Sequence, residues 1–160
     1  MKASEFAELV PDCCGEVLDS MYFTTVMETS HPKQLAEAGG GEGTAVDTAE
    51  YAFSLSFKGD VCGRFGLHMG AATGRGLAAN FLGEDEAELS ASDVGEVAGE
   101  LANMLCGAVV SKVEGRSKFV LSHPEAMRLL PNLENEDSLV SRFETDGGTI
   151  TTWVVVEGNA

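Results

Sequence analysis

Phe6, Leu9, Val10, Cys13, Cys14, Val17, Leu18 and Met21 recur at steps of three and four residues. That spacing marks one face of a helix running to about residue 24. Pro11 falls inside it and predicts a kink or a restart, because proline lacks the amide hydrogen that a helix interior uses. Tyr51, Phe53, Leu55 and Phe57 alternate with Ala52, Ser54 and Ser56, the period of a strand with an aromatic inner face. Lys58, Gly59 and Asp60 then predict a tight turn, and residues 61–69 a second strand, so the two form a β-hairpin. Residues 71–81 read as a short, alanine-rich helix.

Residues 94–110 read as the second long helix, with Val97, Leu101, Met104, Leu105 and Ala108 on its apolar side. Ser92 or Asp93 is expected to cap it, with Glu96 as the capping-box partner of Asp93. A strand near 117–121 follows. Pro124 and Pro131 frame a turn and a helix-like piece, EAMRLL. Two last strands, near 138–144 and 149–157, meet at a Gly147–Gly148 turn. Helix, two strands, short helix, long helix and three strands do not alternate like a doubly wound parallel sheet. The fold class expected is α/β (α+β), one domain over residues 1–160.

Composition narrows the chemistry. With 10 basic and 26 acidic residues the formal charge is −16, a field that disfavours nucleic acid and anionic membrane surfaces. It leaves a protein partner open. The four cysteines show no C-x-x-C spacing, and three lie in apolar runs, which predicts buried free thiols in a reducing compartment. The N-terminal stretch lacks the apolar core of a signal peptide, and no apolar run nears the roughly 20 residues that span a bilayer. A cytoplasmic location is expected. The glycines of residues 38–45 read as a loop, without the lysine and Ser/Thr of a phosphate loop. His31, His68 and His123 are scattered, with no metal-ligand spacing.

The chain also repeats itself. Residues 15–21, GEVLDSM, align with residues 99–105, GELANML, at an offset of 84. This predicts two related halves, about 12–82 and 93–158, with the two long helices side by side on one face of a shared sheet. Within the second copy, Glu100 and Asn103 stand three residues apart, so they share a helix face with Cβ atoms about 5–6 Å apart. They lie on a narrow polar stripe through Glu96, Glu100, Asn103 and Gly107. Gly107 should leave space above Asn103 for a ligand or a partner's backbone. Such a stripe is also what any solvated helix face presents. Asn103 is the less comfortable residue, since its short amide competes for backbone hydrogen bonds inside a helix.

GELANMLCG, followed closely by Ser111 and Lys112, resembles the signature of the CheC/CheX/FliY family of bacterial chemotaxis phosphatases, and most the CheX-like branch. The element order and the repeat resemble that family across nearly the whole chain. The resemblance implies a pseudo-twofold domain with two long helices packed on an antiparallel sheet. It implies removal of the phosphoryl group from the aspartyl phosphate of a CheY-like response regulator. It assigns the catalytic roles to Glu100 and Asn103. Glu96 departs from the small residue that the family often has there, which bears on partner contacts, as do Gly107 and Lys112. The first copy keeps Glu16 but has Asp19 where the second has Asn103, so it reads as a degenerate second site. No cofactor of its own is implied, since the regulator would bring Mg²⁺. A homodimer is implied, with the last strands as the expected interface. The alternative reading is a non-catalytic adaptor domain of the same fold that binds a regulator without hydrolysing it.

Overall fold

The computed structural model describes residues 3–32, 50–59, 61–113, 119–131, 133 and 138–158. The glycine-rich loop at 38–45 and Asp60 of the expected turn lie outside them. Helix α1 (Ala3–Tyr22) runs through Pro11 as one element. It is followed by β1 (Val26–Ser30), β2 (Tyr51–Lys58), β3 (Cys62–Met69) and α2 (Ala71–Leu82). A single 3₁₀ turn (Glu86–Glu88) leads into α3 (Ala91–Val113). Two short strands, β4 (Val120–Leu121) and β5 (Glu125–Ala126), precede the closing hairpin of β6 (Ser138–Thr145) and β7 (Gly148–Gly158).

The strands form one antiparallel sheet in the order β1-β6-β7-β3-β2-β4, with β5 also on the outer edge of β2. That order reads the same backwards when β1, β6 and β7 exchange with β4, β2 and β3. Each half of the chain therefore lends its first strand to the other half's side of the sheet.

All three helices contribute to one core. Val10, Cys14 and Leu18 of α1, Leu77 and Ala78 of α2, and Leu101, Leu105 and Val109 of α3 are buried with Leu55, Phe57, Phe65, Leu67, Phe143, Ile150 and Val154 of the sheet. Each of the large side chains contributes about 1.5–3 kcal/mol by leaving water. The opposite face of the sheet carries a smaller cluster, in which Leu130 and Leu133 cover Ala52, Val140 and Trp153. Over Ala91–Lys112, α3 has the length and mean hydropathy of a membrane span, contrary to the sequence reading. More than half of it is buried in the domain, as a core helix should be.

Other expectations are corrected. β1 carries no legible pattern because it is an edge strand with mostly exposed side chains. EAMRLL is not helical: Glu125 and Ala126 pair with β2, and the Met127 N–H donates to the Ala52 carbonyl at 2.8 Å. A six-residue piece cannot repay helix nucleation, and a following proline biases Leu130 towards extended backbone. The closing turn is Asp146–Gly147, while Gly148, at φ 126°, already pairs with Thr145. A Cβ on Gly148 would collide with Thr73 of α2, so glycine suits both the backbone and the contact. β7 is paired on both sides, and β6 is covered by β1 only over Arg142–Thr145, so among the described residues the outer edge of this half of the sheet is β1 together with the first half of β6.

Candidate active site

Helix α3 starts two residues earlier than a cap at Ser92 would require. Ser90 is the cap: its Oγ accepts from the Asp93 N–H at 3.1 Å, and the Asp93 carboxylate accepts from the Ser90 N–H at 3.0 Å. These hydrogen bonds hold the Asp93 carboxyl below the usual carboxylate range. Asp93 is thus the reciprocal partner in the box rather than its first residue, and Glu96 is left exposed.

From that start the helix buries Val94, Val97, Ala98, Leu101, Ala102, Leu105, Cys106, Val109 and Val110. So broad an apolar face leaves a narrow polar stripe. Glu100 is exposed on it and Asn103 is half-buried. Neither side chain has a hydrogen-bond partner among the described residues. Tyr22, at the end of α1, stacks on Phe81 with centroids 4.8 Å apart and donates its hydroxyl to Met104 Sδ at 3.6 Å. Burial, and then the charge of Glu100, push the Tyr22 phenol above its ordinary range, so it stays a neutral donor.

Glu100 and Asn103 form one wall of a groove of about 400 Å³. The other wall is Leu121, Ser122, His123 and Pro124, the segment joining β4 to β5. This strap is anchored along β2: Leu121 pairs with Phe57, Ser122 hydrogen-bonds Ser56, and Glu125 and Ala126 pair with Ser54 and Phe53, so His123 and Pro124 stand outside the ladder. It approaches α3 at two glycines. A Cβ on Gly99 would lie 3.8 Å from Pro124 Cβ, and one on Gly107 would lie 3.8 Å from Leu121 Cδ1. The two small residues bracket the groove and let the strap come close.

Gly107 is half-buried and does not line the groove; a Cβ there would meet Leu121 at ordinary contact distance. Lys112 is not at the groove either. Nine residues beyond Asn103 is about 13 Å along the axis and half a turn around it. Its charge acts on Cys13 of α1 instead. In α1, Glu16 and Asp19 are both exposed. The strap residues had no motif to reveal them; a histidine beside a proline in a connector was the sole hint. Among the described residues, no three His, Cys, Asp or Glu side chains converge as a metal site.

A sequence model of the chemotaxis phosphatase CheX family matches residues 51–136, more than half of the chain, and the match includes both walls of the groove. No curated protein matches the sequence at a significant level. Among solved structures, the chain is similar to a chemotaxis protein CheX from Desulfovibrio desulfuricans, with a TM-score of 0.72 and 15% identity over 96% of this chain and 99% of that one. It is similar to a CheC-like superfamily protein from Shewanella sp. PV-4, with a TM-score of 0.70 and 16% identity over 96% and 98% of the two chains. It is also similar to a chain of the CheX–CheY–BeF₃–Mg²⁺ complex from Borrelia burgdorferi, with a TM-score of 0.66 and 17% identity over 94% and 97%. At these identities the structural likeness speaks for the fold.

Proposed function

Because this chain belongs to the chemotaxis phosphatase CheX family, we propose that its α3 groove hydrolyses the aspartyl phosphate of a CheY-like response regulator, with Glu100 and Asn103 as the working side chains. The observation that carries the assignment is the pairing of two uncommitted polar side chains on a helix with an open groove in front of them. Side chains with no structural partner are free to serve a second protein.

An acyl phosphate is hydrolysed when a water oxygen bonds to phosphorus while the phosphorus–carboxylate oxygen bond breaks. The electron pair leaves with the aspartate carboxylate, and the water's protons end on phosphate and solvent. The problem is one of positioning, as for the water-orienting glutamine of GTPases. The amide of Asn103 suits it, with a carbonyl that accepts from water and an NH₂ that donates to a phosphoryl oxygen. Glu100 is unsuited to that place, since its charge repels phosphate. Its exposure fits an anchor for a lysine of the regulator through a charge-assisted hydrogen bond.

Mg²⁺ belongs to the regulator in this scheme; the Borrelia complex contains Mg²⁺ and BeF₃ together with CheX and CheY. The reaction takes place in the cytoplasm, where such regulators act. We extend the reading to one catalytic site per chain, within a single domain formed by duplication. The self-complementary strand order supports the duplication. A homodimer is also part of the reading, supported by the open edge of β1 and the exposed Phe23 and Met27 beside it.

The test is decay of label from a CheY-like regulator phosphorylated by a small donor, with and without the protein. Faster decay is expected. Unchanged decay despite demonstrated binding would favour the adaptor reading.

A further inference from the structure

The strap brings a third functional group to the groove. His123 is exposed on the groove wall facing α3. Its chain position is held on both sides. Before it, the Ser122 N–H donates to the Ser56 carbonyl at 2.9 Å and Leu121 seats on Gly107; after it, Pro124 packs beside Gly99. A residue held so firmly at a groove, with its ring left free, is placed rather than loosely tethered.

The three histidines differ in commitment. His31 Nδ1 lies 3.2 Å from Ser141 Oγ and 3.3 Å from the Val140 carbonyl. His68 Nε2 lies 3.3 Å from a Glu50 carboxylate oxygen. The His123 ring makes no hydrogen bond or ion pair among the described residues.

The electrostatics give that free ring a task. A phosphoryl group entering the groove meets Glu100 and the field of a chain with a net charge of −16. Among the described residues, no lysine or arginine lines the groove. The Ser122 hydroxyl is already engaged, accepting from the Ser56 N–H at 2.8 Å and donating to the His123 carbonyl at 3.3 Å. Among the described residues that line the groove, Asn103 and His123 are the donors with spare capacity. Asn103 must also hold water. We propose that His123 donates an imidazole N–H to a phosphoryl oxygen of the docked regulator, opposite Asn103, and so makes the groove selective for the phosphorylated partner. His123 forms no covalent bond and transfers no proton; the bonds made and broken are those of the hydrolysis above, and the proposal rests on that reading of the site.

The experiment compares wild type with His123→Ala, His123→Gln and Asn103→Ala on a phosphorylated CheY-like receiver. It also measures binding of each to that receiver with and without BeF₃⁻ and Mg²⁺. His123→Ala should lower kcat about tenfold to a hundredfold, less than the 10²–10³ of a buried oxyanion donor, because the site is open. It should lose most of its preference for the BeF₃⁻-loaded receiver over the unloaded one. His123→Gln keeps an N–H at similar reach and should recover both, which loss of packing would not predict. His123→Ala with wild-type kcat and preference, beside an inactive Asn103→Ala, would overturn the role of His123 and leave the phosphatase reading standing. An inactive wild type would overturn both.

Discussion

Ser122 and Ser56 are joined twice: the Ser122 N–H donates to the Ser56 carbonyl at 2.9 Å, and the Ser56 N–H donates to Ser122 Oγ at 2.8 Å. One side chain thus completes a ladder that the strap otherwise leaves. Ser122→Ala removes the second bond and leaves the Ser56 N–H to water. The expected loss of stability is about 0.5–1.5 kcal/mol. Loosening the strap opposite Asn103 should lower phosphatase turnover more than this loss of folded protein accounts for. Urea unfolding and turnover, each measured on the same preparation, separate the two effects.

Asn103 and Asp19 occupy corresponding places when residues 99–105 are aligned with residues 15–21, and their chemistry differs. An ionised carboxylate cannot donate to a phosphoryl oxygen and repels it. Asn103→Ala should reduce turnover by about a hundredfold or more with the fold intact. Asp19→Ala should leave turnover within about twofold, as surface changes away from a site usually do. Activity lost in Asp19→Ala and kept in Asn103→Ala would reverse the assignment of the working copy.

The legibility of this fold follows the physics of each element. α1 and α3 announce themselves because each buries a wide face with helical spacing, and α3 buries so much that its polar stripe stands out by contrast. β1 announces nothing. It borders one neighbour, and most of its side chains face water. The far wall of the groove is also silent, since Ser122 finds its place through Ser56, 66 residues earlier. The same distant pairing brings Leu121 up to Gly107. Half of the candidate site was therefore local and readable, and the other half was tertiary.

On the opposite face of the sheet, Gly66 lies across from Trp153 in the β3–β7 ladder. A Cβ at residue 66 would overlap the indole ring of Trp153, which is 2% exposed. Both belong to a packed layer with little room to yield. Gly66→Ala should destabilise by about 1–3 kcal/mol, the usual cost of overpacking. Trp153 is the sole tryptophan, so its emission reports the disturbance directly. A stability and spectrum equal to wild type would mean that the indole moves aside without penalty.

Phe23 has a φ of 50°, a left-handed conformation that costs a residue with a side chain about 1–2 kcal/mol. It turns the chain out of α1 so that the Thr24 N–H reaches the Leu18 carbonyl at 2.9 Å. The ring offsets little of this cost by burial, being 72% exposed. Phe23→Gly relieves the strain and gives back part of the gain through the greater freedom of glycine in the unfolded chain. The expected net effect is a stabilisation of up to about 1 kcal/mol. Phe23→Ala keeps the strain and should gain nothing. Thermal melts of the two variants against wild type decide it.

The cysteines should differ sharply in reactivity. Cys13, Cys14 and Cys106 are buried in the core shared by α1 and α3, while Cys62 is partly exposed on β3. Burial pushes the Cys106 thiol up to about 12 and the Cys14 thiol higher still. It also raises Cys13, against the opposing charge of Lys112. Thiolate is the reactive form. At neutral pH these three remain protonated and out of reach, so raising the pH by a unit barely changes their reactivity. A coloured disulfide reagent should therefore titrate Cys62 first in the native protein, and the other three should react only as the chain opens. Cys62→Ser should abolish the early phase, and denaturant should restore full reactivity of the remainder. A fast phase surviving in Cys62→Ser would show that the α1–α3 contact opens far more readily than its packing implies.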